Sequence, residues 1–198
     1  MIDDSVDRDA ALHKLLDHHE IVNIVYKYCR GIDRRDEALL RSIYWEDAVE
    51  DHGIVLTGVD DFVGMAMEIV EACIVTHHQI GNVLAQIDGN QAKVESYVHL
   101  HHRIEGRPPR QQWPLKPASV PADQKGIFTD FFCGGRYIDQ MEKRNGSWRI
   151  LRRKVAYDWF RVAEGEDWSQ FPYSGVEHYA FGSHGPNDLA HRLLEKVD

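Results

Sequence analysis

The residue pattern of this 198-residue chain changes period once, and the change falls at Thr76. Before it, apolar residues recur at helical spacing; after it they alternate, as strands with one buried face do. Two turn signals sit inside the alternating half. Asp88-Gly89-Asn90 separates a strand predicted over Val75–Ile87 from its return over Gln91–Ile104. Asn145-Gly146 likewise separates Gly126–Lys143 from Trp148–Phe160. Helices first and hairpin-linked strands later give an α+β fold with an antiparallel sheet. Such a sheet curls, and helices on its concave face leave room for a pocket.

The helical half divides into three. One helix is expected from Asp9 to Gly31, stopped by the glycine, and a second from Asp36 to Tyr44 with Leu39, Leu40 and Ile43 inward. An extended segment, Val49–Leu56, is broken by a turn at Asp51-His52-Gly53. Asp60 or Asp61 caps a third helix reaching Ala72, with Phe62, Met65, Ile69 and Cys73 on its apolar side. Glu105–Lys125 holds five prolines without periodicity and reads as a long loop. The tail after Val162 is aromatic and glycine-rich and finishes with a short helix over Asn187–Lys196. Loop and tail are candidate lids, or, for the tail, an oligomer contact. The chain therefore divides into a domain over residues 1–162, carrying the loop at about 105–125, and a tail over 163–198.

A net charge of −9 argues against nucleic acid and anionic membranes as partners. No apolar run reaches the length of a membrane span, and the acidic opening MIDDSVDRDA does not read as a signal peptide. Cys29, Cys73 and Cys133 are odd in number, far apart and set among apolar residues. They read as reduced thiols of a cytoplasmic protein. Twelve histidines raise the question of a metal. His99 and His101 share a strand face and His102 the other, but no cysteine or carboxylate stands at companion spacing, so no metal site is expected. Gly134-Gly135 is not followed by a helix; it reads as a bulge in a bent strand rather than a phosphate loop.

The most informative stretch is Ile21–Asp36, IVNIVYKYCRGIDRRD. Leu12, Leu15, Val22 and Cys29 recur at helical spacing, so one face should enter the core, and Asp33 continues that face just past the last apolar turn. A buried acid needs compensation. Asp33 is either such an acid or a loop aspartate capping the next helix. In the strand after Val75, Thr76, His78 and Ile80 share a face while His77 takes the other. His78 is either a core histidine bonded to backbone or, facing a carboxylate, a general base whose tautomer and imidazolium that carboxylate fixes.

Together, Y-x-x-x-x-D ending at Asp33, the segment SIYWEDA, THHxIGN and RNGSWRI resemble the SnoaL-like group of the nuclear-transport-factor-2-like superfamily. Within it they are most similar to the branch of scytalone dehydratase, hexachlorocyclohexane dehydrochlorinase and bile-acid 7α-dehydratase. The likeness runs from Leu12 to Phe160 in element order. It implies a cone-shaped curved sheet wrapped around N-terminal helices, a hydrophobic pocket, and a histidine–aspartate pair inside. Asp33 falls on the family's pocket aspartate. His78 falls on its base, keeping the H-x-x-x-N spacing to Asn82. Tyr28 and Arg153 fall on a tyrosine and a leaving-group arginine, and Tyr44 and Trp45 on an aromatic wall position. His99 or His101 would supply a second polar group from the returning strand, with His102 within reach of the same place, and Tyr137 would complete the substrate-binding set. Each also has a plainer reading: Tyr28 and Trp45 as core, Arg153 as one of a solvated basic run.

The resemblance implies a cofactor-independent lyase, dehydratase-like, working on a small hydrophobic cyclic substrate and assembled as a homodimer or homotrimer. The alternatives are a non-catalytic ligand-binding or partner subunit of the same fold, or an isomerase or cyclase of the ketosteroid-isomerase kind with an aspartate as base.

Overall fold

The computed structural model describes residues 7–53, 55–107, 121–172, 175–176, 182–185 and 188–190. Helix α1, Arg8–Arg34, begins at Asp7, whose carboxylate accepts from the backbone N–H groups of Asp9 and Ala10. It runs a turn past the expected stop. Arg35 adopts the left-handed conformation (φ 55°), and Asp36 N–H returns to the Gly31 carbonyl. Gly31 serves a different purpose from the one its sequence position suggests. A Cβ there would lie 3.1 Å from Leu40 Cβ, so the glycine lets the next helix approach. Asp33 is consequently in the last helical turn rather than beyond it.

The expected apolar stripe also shifts. Leu12 and Leu15 are exposed, and burial begins at Ile21 and continues through Ile24, Val25, Tyr28, Cys29 and Ile32. The first turns instead touch the body through Asp17, which accepts from Lys143 Nζ and Trp148 Nε1.

Helix α2, Glu37–Ser42, is capped by Asp36 and buries Leu40. Strands β1, Tyr44–Asp51, and β2, Leu56–Gly58, form a short antiparallel pair. Helix α3, Val59–Glu71, starts from Gly58 with no side-chain cap; Asp60 and Asp61 lie in its first turn, where their charge favours the helix N-terminus. The long strands follow: β3, Val75–Asp88; β4, Gln91–Glu105; β5, Phe128–Arg144; and β6, Ser147–Gly165. Both hairpins form where expected, and Asn145 and Gly146 take the positive φ values of a tight two-residue turn.

One six-stranded sheet results, in the order β2-β1-β6-β5-β4-β3. Every pairing is antiparallel except β1 against β6, which is parallel, so the curved sheet is mixed. No local turn signal encodes that contact, because β1 pairs with a strand about a hundred residues later. Bulges bend the long strands at Ile80/Val83 and at Gly134/Gly135. At Gly134 the backbone must clear the Trp159 indole, which a Cβ would meet at 2.3 Å.

Helices α1 and α3 lie on one face of the sheet, and the core cluster joins Ile21, Val25, Phe62, Val63, Val98 and Ile150 among others. β6 extends five residues beyond its expected end. The tail returns to α1 at Ser183–His184. Residues 108–120 of the proline-rich loop and seven of the ten residues of the expected terminal helix lie outside the described residues.

Candidate active site

The end of α1 and the start of β3 meet at Asp33 and His78. His78 Nδ1 is 2.6 Å from Asp33 Oδ1, and the backbone N–H of the same histidine donates to Oδ2 at 2.7 Å. Both side chains are buried. Burial pushes the Asp33 carboxyl up, but the hydrogen bonds and charge of His78 outweigh it and hold Asp33 below the usual carboxylate range. With Nδ1 donating to a carboxylate, Nε2 carries the lone pair of the neutral ring. His78 lines a cavity of about 580 Å³ between the helices and the sheet.

The cavity wall is mostly apolar: Ile32, Phe62, Ile69 and Val70 on the helical side, Val98 and Leu100 on the sheet. Phe160 and Val162, both lining it and both exposed, form its rim. Polar groups are few. The Tyr28 ring stands edge-on to His78 at 6.5 Å and to Tyr137 at 5.2 Å. Burial raises the pKa of both hydroxyls, so each remains an O–H donor.

His102 is paired across the strands with Thr76, which brings its ring 5.3 Å from His78. Neither ring nitrogen of His102 has a hydrogen-bond partner among the described residues. Burial, with the charge of His78 adding to it, pushes its pKa down to about 3, so the ring is neutral. His52 also lines the cavity, stacked on Phe62, with Nδ1 3.4 Å from the buried carboxylate of Glu50.

A SnoaL-like domain model matches residues 13–154. The chain belongs to the SnoaL-like domain family. No curated protein matches it significantly in sequence. Solved structures share the fold of this SnoaL-like chain at low identity. The type 2 hexachlorocyclohexane dehydrochlorinase (LinA) is 17% identical over 78% of this chain and 94% of its own, with a TM-score of 0.62. A scytalone dehydratase candidate from Novosphingobium aromaticivorans is 18% identical over 77% of this chain and 93% of its own, with a TM-score of 0.59. The Kfla4162 protein of Kribbella flavida is 17% identical over 75% and 95%, also with a TM-score of 0.59.

Within the SnoaL-like fold, Asp33, His78, Tyr28 and Tyr137 converge, whereas five other expected residues stand elsewhere. His99 packs on Trp159 and His101 on Phe132 and Asp130, both on the sheet face turned away from the cavity. The inward parity of β4 is that of Ala92, Val94, Ser96 and Val98, and that small and apolar series leads to His102. The series was readable in the sequence and selects His102.

Arg153 is fully buried, with Nε and Nη2 both 2.7 Å from the Asp139 carboxylate. Its guanidinium lies 4.1 Å from the Tyr28 ring centre and 4.3 Å from that of Tyr137. It stands one layer behind the tyrosines and does not line the cavity, although Val155 and Tyr157 on the same face of β6 do. Attraction to Asp139 overcomes burial and holds its pKa well above the ordinary arginine value. Tyr44 is buried beside it, donating to Glu50. Trp45 donates its indole N–H to the Glu142 carbonyl and is flanked by Arg144 and Arg149, away from the cavity. His52 escaped the sequence reading because Asp-His-Gly carries a turn signal that masks a side chain at a strand end.

No cluster of three metal-ligating side chains occurs among the described residues, and no helix there is long and apolar enough to cross a membrane.

Proposed function

We propose that this SnoaL-like protein is a cofactor-independent lyase that eliminates water from a small, neutral, hydrophobic cyclic substrate. The observation that carries the reading is the Asp33–His78 pair at the wall of an apolar cavity. His78 Nε2 takes a proton from the carbon next to a carbonyl, and Asp33 stabilises the imidazolium. The C–H electron pair forms the new double bond, the C–O bond breaks, and the departing hydroxide takes the proton back from His78 as water. The pair ends as it began.

Tyr28 and Tyr137 hold O–H groups near this centre, suited to a carbonyl oxygen that gains negative charge. His102, neutral and without a hydrogen-bond partner among the described residues, offers a hydrogen bond to a substrate hydroxyl. Among the described residues the cavity wall contains no lysine, arginine, aspartate or glutamate, which favours an uncharged substrate. Its volume suits a fused two- to four-ring molecule. The dehydrochlorinase and the scytalone dehydratase candidate that share the fold are named for eliminations, which supports the same class here. Asp33 itself is poorly placed as the base of an isomerase: both its oxygens are engaged by His78 and its carboxyl is held acidic. Assembly through the outer sheet face, where Tyr97, Ile138 and Trp159 are exposed, belongs to the same proposal.

The test uses 3-hydroxy-1-tetralone, a neutral β-hydroxy ketone whose dehydration gives fluorescent 1-naphthol. Turnover is expected, and His78→Ala should abolish it. No turnover, or a His78→Ala variant of unchanged rate, would overturn the reading.

A further inference from the structure

We infer that His184, in the tail, is a clamp that positions the Asp33–His78 pair. Its ring lies between two main-chain carbonyls, with Nδ1 2.8 Å from the Asp33 oxygen and Nε2 3.0 Å from the Ile74 oxygen. Carbonyl oxygens only accept, so the ring nitrogens bridge the two carbonyls. The two acceptors belong to the last turn of α1 and to the residue before β3, the two elements whose meeting creates the pair. A third bond, from Thr76 Oγ1 to the same Asp33 carbonyl at 3.4 Å, closes the junction from β3.

Charged groups on several elements face this junction. The last carbonyls of α1 carry the negative end of the helix dipole. The Asp33 carboxylate is on the same residue as one acceptor, and Asp188, nearly buried, stands 3.7 Å from Arg34. Arg34 is the opposing charge; its Nη1 is held by the carbonyls of Ser183 at 3.3 Å and Asp33 at 3.4 Å. Arg35 places Nη2 2.7 Å from the Cys73 carbonyl, next to Ile74. Burial pushes the Cys73 thiol up to about 12, so it is neutral. On the strand side, His78 faces Asp33, and Arg103, whose carbonyl accepts from Ile74 N–H, is neutralised by Asp130. The family match ends at residue 154, so the clamp is supplied by a segment outside the matched domain.

His184 contacts the main chain at Asp33 and Ile74 and is not among the residues lining the cavity, so it is a positioning residue. Its role rests on the reading of Asp33–His78 as the working pair, but its first test needs no turnover. In ¹⁵N-histidine spectra, His184→Gln should shift the His78 ring resonances, while the fold, read from the backbone amide spectrum, persists. Unmoved His78 signals in the variant would overturn the inference. With 3-hydroxy-1-tetralone, His184→Gln should lower kcat about 10-fold with KM changed less than about 2-fold, as misalignment of a reacting pair does. Failure of the wild type on that probe, with the spectra as expected, would remove the elimination reading and leave the clamp standing.

Discussion

The Asp33 carboxylate spans two N–H groups of one residue, the ring Nδ1–H and the backbone N–H of His78. The contact therefore fixes the position of the strand as well as the orientation of the ring. Burying a carboxylate is costly, and here two close hydrogen bonds compensate.

Asp33→Asn should lower turnover by about 100- to 10,000-fold, since the amide cannot stabilise the imidazolium. It should also change how stability depends on pH. The folded Asp33 pKa is depressed below its unfolded value, so its contribution is present above about pH 4 and is lost as pH falls through the folded pKa. Urea midpoints of wild type and variant should differ at neutral pH and converge in acid. A gap that stays constant into acid would count against a charged Asp33.

His102→Leu separates function from stability. The buried imidazole lacks hydrogen-bond partners among the described residues, an arrangement that costs about 1–3 kcal/mol. The leucine variant should be about 1 kcal/mol more stable in denaturant titration and at least about 10-fold slower on the tetralone probe. A destabilised variant of unchanged rate would make His102 a packing residue.

Arg153→Met should destabilise the fold by about 3–5 kcal/mol, because Asp139 is left buried and uncompensated. Pairing it with Asp139→Leu should recover most of that loss, as replacement of both partners by apolar groups does. Denaturant unfolding of the two single variants and the double variant measures the cycle. Additive losses would show that the pair is not coupled.

The local features of this fold were legible because local chemistry decides them. Asn145-Gly146 can take the positive φ values that a tight hairpin needs, and the alternation after Thr76 has a face to bury. The expected halt at Gly31 misread what the glycine does, since a residue that ends a helix and one that lets two helices touch look alike until Leu40 is in place. Likewise the leucines at 12 and 15 have helical spacing, yet among the described residues both stay exposed.

At the site, sequence spacing and family likeness together pointed to Asp33 and His78, and the strand parity of β4 held the information that selects His102 over His99 and His101. What Arg153 faces could not be read, because its partner Asp139 lies across a hairpin whose register shifts at Gln140/Met141. The parallel contact of β1 with β6 and the return of His184 to α1 were equally hidden. The sequence by itself determined the order of helices and strands, the hairpins and the residues able to do acid–base chemistry, since each depends on neighbours a few positions away. Which of those residues share a cavity was decided only by the tertiary structure, because bulges and long-range pairing set the direction of every side chain beyond them.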